Sequence, residues 1–236
     1  GSSKLKELYK MNDFSKLIKS RTSKRAFLNK TIPKKTIIDI LEDAKYTPSG
    51  GNTQPWIVYS ISGNTLQNLS NNLLEALSAS KENSPDLQYY PLTWKNPYKK
   101  RRIITGKSMY KSLNIDRKDT DSRTKIWHDN YKAFGSDNLL LVFLDESMVA
   151  TSFGSILDTG AFMQSILLSI HSRSLGACPQ GAIAEYSDIV KESLELTNTS
   201  LKLLYSISLG YINEEEKIND FSPSRLKVEE FTTFLN

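Results

Sequence analysis

Pro48-Ser49-Gly50-Gly51-Asn52-Thr53-Gln54-Pro55-Trp56 runs directly into the apolar stretch Ile57-Val58-Tyr59. Two adjacent glycines let backbone approach a flat ring closely, and Ser49, Asn52 and Gln54 place donors and acceptors beside them. Pro55 stops any helix. Trp56 opens a β-branched and aromatic run to Ile61 that reads as a strand, closed by Ser62-Gly63-Asn64. A tight helix-to-strand turn needs only a glycine and a turn former. The surplus of small and amide residues therefore marks a binding loop rather than a connector.

Some 20 residues upstream lies Arg21-Thr22-Ser23-Lys24-Arg25. Arginine presents a planar fork of donors suited to phosphate, and the serine hydroxyl adds a short donor. Taken alone, most such triplets are surface loops. Around these motifs the periodicity assigns elements. Asp13 can cap a short helix carrying Phe14, Leu17 and Ile18. Pro33 suits the first turn of a helix striped by Ile37, Ile38, Leu41 and Ala44. A further helix carries Leu66, Leu69, Leu73, Leu74 and Leu77. Leu139 to Leu144 reads as a strand buried on both faces, and Ala161 to Ile170 as a central buried helix. Ser187 is positioned to cap a helix through Ile189, Val190 and Leu194, and Leu201 to Leu209 gives another core strand.

Between Ser80 and about Lys100 the pattern fails. Pro85, Pro91 and Pro97 punctuate a stretch holding Tyr89, Tyr90, Trp94 and Tyr98. Long irregular segments in compact domains are often lids or binding loops, and residues 80–135 are read as such an insert. Four large aromatics are costly to leave in water, so they cover a flat ring or a second copy of the chain.

Composition narrows the class. With 236 residues and 39% apolar content, one domain over residues 1–236 is expected. Gly1-Ser2-Ser3 reads as a tag remnant, and residues 1–10 as that remnant and a flexible N-terminus. No 18-residue apolar stretch exists to span a membrane. A single cysteine, Cys178, excludes an internal disulfide and fits a cytoplasmic location. Two histidines with one cysteine argue against a zinc site, and no metal is expected. A net charge of +5, with Lys99-Lys100-Arg101-Arg102 as its densest cluster, reads as a solvated helix face or as steering of anionic substrate or of nicotinamide phosphates. No recognition motif accompanies it, so no nucleic-acid partner is expected.

Taken in order, the two N-terminal motifs resemble those of the nitroreductase family of FMN-dependent oxidoreductases. Asp158-x-Gly160-Ala161, Leu175-Gly176-Ala177-Cys178-Pro179-Gln180-Gly181 and Ser222-Pro223-Ser224-Arg225 resemble its central helix, flavin-edge loop and closing segment. The resemblance implies an α+β fold, a nitroreductase-like central mixed β-sheet surrounded by helices, in an intertwined homodimer with two FMN sites. Arg21, Thr22, Ser23, Arg25, Pro179, Gln180, Gly181 and Arg225 would hold FMN from one subunit, and Pro48, Ser49 and Asn52 from the other. The amides of Gln180 and Gly181 would face flavin N5. NADH or NADPH would reduce the flavin, and a small-molecule acceptor would reoxidise it in ping-pong fashion. No side chain is required as acid or base, so no catalytic residue is named. Pro223 stands where relatives often carry a lysine, so that lysine's phosphate contact is not carried over to this chain.

The middle segment, Tyr98-x-x-Arg101-Arg102, Gly106-x-x-Met109-Tyr110 and Asn130-x-x-x-Phe134-Gly135, resembles a branch reducing nitrobenzene and nitrobenzoate. Flavin reductase, enone reductase and reductive dehalogenase branches are the alternatives, followed by a non-catalytic FMN-binding protein. Cys178, with no histidine near it in sequence, reads as a small buried packing residue.

Overall fold

The computed structural model describes residues 11–236. The expected tag remnant and flexible N-terminus at residues 1–10 lie outside the described residues. Among the described residues seven α-helices and four strands follow in the order α1 (Met11–Ser20), α2 (Lys34–Ala44), β1 (Ile57–Ser62), α3 (Gly63–Ser78), α4 (Tyr98–Ser112), α5 (Thr120–Asp129), β2 (Asn138–Asp145), α6 (Gly154–Ser172), β3 (Gly176–Gln180), α7 (Ser187–Ser193) and β4 (Leu201–Gly210).

The strands form one sheet in the order β1-β2-β4-β3. The expected mixed sheet is antiparallel at every described pairing. The reason lies in the topology. β2 and β3 run the same way, joined across the sheet by α6, and β4 inserts between them in the opposite sense. Parallel neighbours never meet. Registers are tight at the ends, with Ser62 opposite Asn138 and Gly176 opposite Gly210, and one irregularity falls between Val142 and Phe143.

β2 is buried from Asn138 to Leu144, and its two-residue alternation feeds two separate cores. Leu139, Leu141 and Phe143 pack with Leu66, Leu69 and Leu73 of α3 and with Tyr131, Tyr186 and Val190. Leu140, Val142 and Leu144 face the other way, onto Ile37, Ile40 and Ala44 of α2 and Phe162, Ile166 and Ile170 of α6. Trp56 ties β1 to that second layer by stacking on Phe162, ring centroids 4.4 Å apart. A strand buried on both faces is thus achieved here by helices covering an antiparallel sheet.

Several local expectations shift. α1 begins at Met11, which puts Asp13 inside its first turn instead of at its cap. On α2 it is Ile40 that is buried, while Ile38 is exposed. The Ser187 hydroxyl donates to the Ala184 carbonyl at 2.7 Å, so it closes the turn before α7 and leaves the helix start uncapped. α6 buries only one face. Phe153 just before it and Leu157 on it stand in solvent, 76% and 69% exposed. No helix among the described residues is long and apolar enough to cross a membrane.

Candidate active site

β3 is the spine of the site. It is a short edge strand, and Pro179 can occupy it because an edge position needs no donor on its outer side. The Arg21–Arg25 segment runs beside it: the Lys24 amide donates to the Ala177 carbonyl at 2.9 Å. The fit there is close. A Cβ on Gly176 would lie 2.7 Å from the Ile212 side chain and 2.9 Å from that of Lys24, so only glycine lets the two segments approach this far. Beyond it, Phe27 bridges to Ile212 and its amide donates to the Phe134 carbonyl at 3.1 Å. Two sequence motifs separated by 150 residues therefore share one edge.

Asn219 clamps that edge. Its Oδ1 accepts the Arg25 amide at 2.8 Å, its Nδ2 donates to the carbonyls of Ala26 and Asn213 at 2.9 Å each, and its own carbonyl accepts Lys24 Nζ at 2.8 Å. It is buried, so each of these bonds replaces water that cannot reach it.

The electrostatics of the corner are one-sided. Arg21 is half-buried, and its Nε is shielded from solvent with no hydrogen-bond partner among protein atoms. Burial lowers its guanidinium below the ordinary arginine value, and the nearby charge of Arg225 lowers it further. Neither arginine belongs to any described ion pair. Two cations that repel one another in a partly desolvated corner, one with an orphaned donor, are relieved by an anion. Arg225 curls back so that Nη1 donates to the carbonyls of Pro223 at 3.0 Å and Ser224 at 3.2 Å. Pro223 thus shapes the loop that carries Arg225 and supplies no charge itself. His171 belongs to the same corner: its imidazole is lowered by burial and by Arg21 and Lys24, and its Nε2 lies 2.8 Å from Ser20 Oγ.

Ser23 and Arg25 sit against Cys178, whose thiol is pushed up by burial, with those two side chains and Arg21 opposing. Packed with Phe27 and Phe134, it is a neutral filler and not a nucleophile. Next along β3, the Gln180 side chain is fully engaged. Its Nε2 donates to the Asn130 carbonyl at 2.7 Å and its Oε1 accepts from Ser208. Only its backbone remains to face a ligand. The backbone that follows from Tyr131 is unusual, with Ala133, Phe134 and Gly135 all at positive φ (50°, 53° and 83°).

The aromatic segment stands over the end of β3. A Cβ on Gly181 would meet the Tyr89 ring at 3.2 Å. Tyr89 contacts Tyr90 edge-on at 4.8 Å between centroids, and Tyr90 lies 5.9 Å from Trp94. Arg102 lies 5.0 Å over the Trp94 ring. The base of the segment is riveted by Asp86, which accepts Lys191 Nζ at 2.8 Å and the Leu203 amide at 3.0 Å.

The Pro48–Gln54 loop is elsewhere. Gly51, Asn52 and Gln54 adopt φ of 60°, 54° and 47°, Ser49 Oγ accepts the Gln54 amide at 2.9 Å, and the Gly50 amide donates to Asp158 Oδ2 at 3.0 Å. Among the described residues no hydrogen bond or ion pair joins this loop to Arg21–Arg25. The structure therefore gathers Arg21, Thr22, Ser23, Arg25, Pro179, Gln180, Gly181 and Arg225 around β3, and leaves Pro48, Ser49 and Asn52 exposed or half-exposed at a different place.

The Nitroreductase family model matches residues 18–211. The chain belongs to the nitroreductase family. It is 30% identical over 224 residues to a 4-nitrobenzoate reductase of Pseudomonas putida, covering 95% of this chain and 96% of the relative. A chloronitrobenzene nitroreductase of Comamonas testosteroni is also 30% identical, over 93% of this chain and 96% of the relative. Among solved structures, the FMN-dependent nitroreductase NfnB of Mycobacterium smegmatis in complex with NADPH superposes with a TM-score of 0.87 at 27% identity, covering 95% of this chain and 99% of that one. Against this family background, Asn219 and Asp86 are the residues that sequence reasoning missed. Neither lies in a motif or a periodic stripe, and each has partners far away in sequence, Arg25 and Ala26 for Asn219 and Lys191 and Leu203 for Asp86.

Proposed function

We propose that this chain is an FMN-dependent oxidoreductase that takes a hydride from NADH or NADPH and, in a ping-pong cycle, reduces nitroaromatic, quinone-like or related electron-poor acceptors. The observation that carries the reading is the Arg21–Arg225 pair with its unpartnered Nε. It fits the phosphate of FMN, with Thr22 and Ser23 adding donors. When bound, FMN supplies the hydride-accepting N5 of its ring. Arg25, held by Asn219 through its backbone, faces the ring's pyrimidine edge. Pro179 through Gly181 present backbone to the reacting edge. Tyr89 through Trp94 exclude water above it and select the acceptor.

The site is completed by a second copy of the chain in an intertwined homodimer, with Pro48, Ser49 and Asn52 reaching in from that copy. Supporting this, the C-terminal stretch leaves Phe231, Phe234 and Leu235 at 66%, 73% and 91% exposure, and apolar surface on that scale is seldom left to water. The reading places the enzyme in the cytoplasm as one nitroreductase-like domain.

Mass spectrometry of the cofactor released from yellow protein should give about one FMN per chain, and NADH or NADPH should bleach it without oxygen. FAD, or no flavin after reconstitution, overturns the assignment. FMN that no donor bleaches leaves a binding protein.

A further inference from the structure

Between Tyr98 and Lys125 ten lysines and arginines face three aspartates, a net charge of +7 against +5 for the whole chain. The remainder of the molecule is therefore net negative, so the chain's excess of positive charge resides in this segment. That charge lines a cavity. A cleft of about 1030 Å³ opens between α4, the 114–117 turn and α5, with Arg102, Lys107, Lys111, Arg117 and Arg123 on its walls. None of these five belongs to any described ion pair. The one carboxylate lining it, Asp116, already accepts the Lys118 amide at 2.8 Å. Beside the cations lies a flat platform: the Arg123 guanidinium stands 4.7 Å over the Tyr110 ring and donates to the Arg117 carbonyl at 3.2 Å.

Unpaired cations beside a stacking surface suit an anion attached to an aromatic base. The position selects which one. Arg102 belongs both to the cleft and to the lid, and Tyr89 at the far end of the lid covers Gly181. Three side-chain steps separate the cleft from the reacting edge. A ligand that followed this chain of contacts would need one end on the cations and the other under Tyr89, which favours an elongated dinucleotide over a compact aromatic acid.

We propose that the α4–α5 cleft binds the adenosine 2′-phosphate end of NADPH, so that Lys107, Lys111 and Arg117 select NADPH over NADH. The proposal rests on the oxidoreductase reading above and adds its donor specificity. The purine lies on Tyr110 and Arg123, and the phosphate between α4 and Arg117, while the nicotinamide passes beneath the lid.

The test uses the FMN-loaded protein and its double variant Lys111→Gln/Arg117→Gln. Calorimetry on oxidised protein should show adenosine 2′,5′-bisphosphate binding more tightly than 5′-AMP, and the variant should lose about tenfold or more of that preference. In anaerobic flavin reduction, the NADPH-to-NADH efficiency ratio should fall by a similar factor, with FMN content retained. Equal binding of the two nucleotides, or a donor ratio unchanged in the variant, overturns the proposal. So does a variant that instead changes the ratio of 4-nitrobenzoate to nitrobenzene reduction, which would assign the cations to the acceptor. If neither donor bleaches the flavin, it is the oxidoreductase reading that fails, and the nucleotide titration still judges the cleft.

Discussion

β2 and α4 use their residues in opposite ways. Seven of the eight residues of β2 are buried, and they serve two cores at once. None of the fifteen residues of α4 is buried, and six of them are lysine or arginine. A helix without a buried face gains little from packing and stays folded by local bonding and by whatever it meets outside the chain. The sheet therefore carries the stability, and the hairpin is left free to carry recognition.

The sharpest way to break this contrast is to truncate each side. Phe143 is fully buried, and Phe143→Ala should cost about 3–5 kcal/mol in denaturant unfolding. Ile104→Ala on α4, where the side chain is 45% exposed, should change that unfolding by no more than about 0.5 kcal/mol. Comparable losses at the two positions would mean that α4 has a core role. The border between the two regions comes next. Asp86 and Lys191 form an ion pair with side chains only 11% and 16% exposed, so Asp86→Ala should cost about 3 kcal/mol by leaving a shielded ammonium unpaired. An Asp86→Ala protein as stable as the parent would detach the lid from the sheet.

At the Arg21–Arg225 corner, the proposed phosphate site, Arg225→Ala should weaken FMN binding by roughly 1.5–3 kcal/mol, the loss of a charged hydrogen bond. Arg25→Ala should retain most of the FMN and make its reduction harder. Identical effects on dissociation and potential would erase this division of labour. The smallest effect is a pH dependence. His171 has its folded value below 6.5, by burial and by Arg21 and Lys24. Above 6.5 both folded and unfolded forms are neutral and the group contributes nothing. Below it the unfolded chain takes up the proton first, so stability falls with pH until the folded value is reached. A His171→Gln protein should show a flatter acid limb in thermal melts than the parent.

Much of this could be read in the chain and some of it could not. β2, α3 and the buried face of α6 follow from period and run length, because burial writes directly onto residue type. β3 does not: it is five residues long, contains Gly176 and Pro179, and has the composition of the loop it was expected to be. The positive φ of Ala133 and Phe134 is likewise invisible, since neither residue favours it. For the candidate site, Arg21, Ser23 and Arg25 stand out in the chain as one short basic motif, and the structure sets that motif along β3. Asn219 was not legible, because its side chain bonds only to the backbone of Arg25, Ala26 and Asn213, which any sequence would supply. The Pro48–Gln54 segment was legible as a loop but its place was not, because its anchor is the Asp158 carboxylate, which accepts the Gly50 amide from far along the chain.

The rivet at Asp86 makes the aromatic segment a replaceable part. Residues 88–97 hang between that anchor and the start of α4, and the Tyr90, Leu92 and Trp94 stretch contributes nothing to either buried core. Replacing them removes nothing from either core, so a chimaera with a foreign segment between Asp86 and α4 should fold with unchanged denaturant stability. A chimaera that keeps Asp86, Lys191 and the Leu203 amide inherits the scaffold and acquires a new appetite.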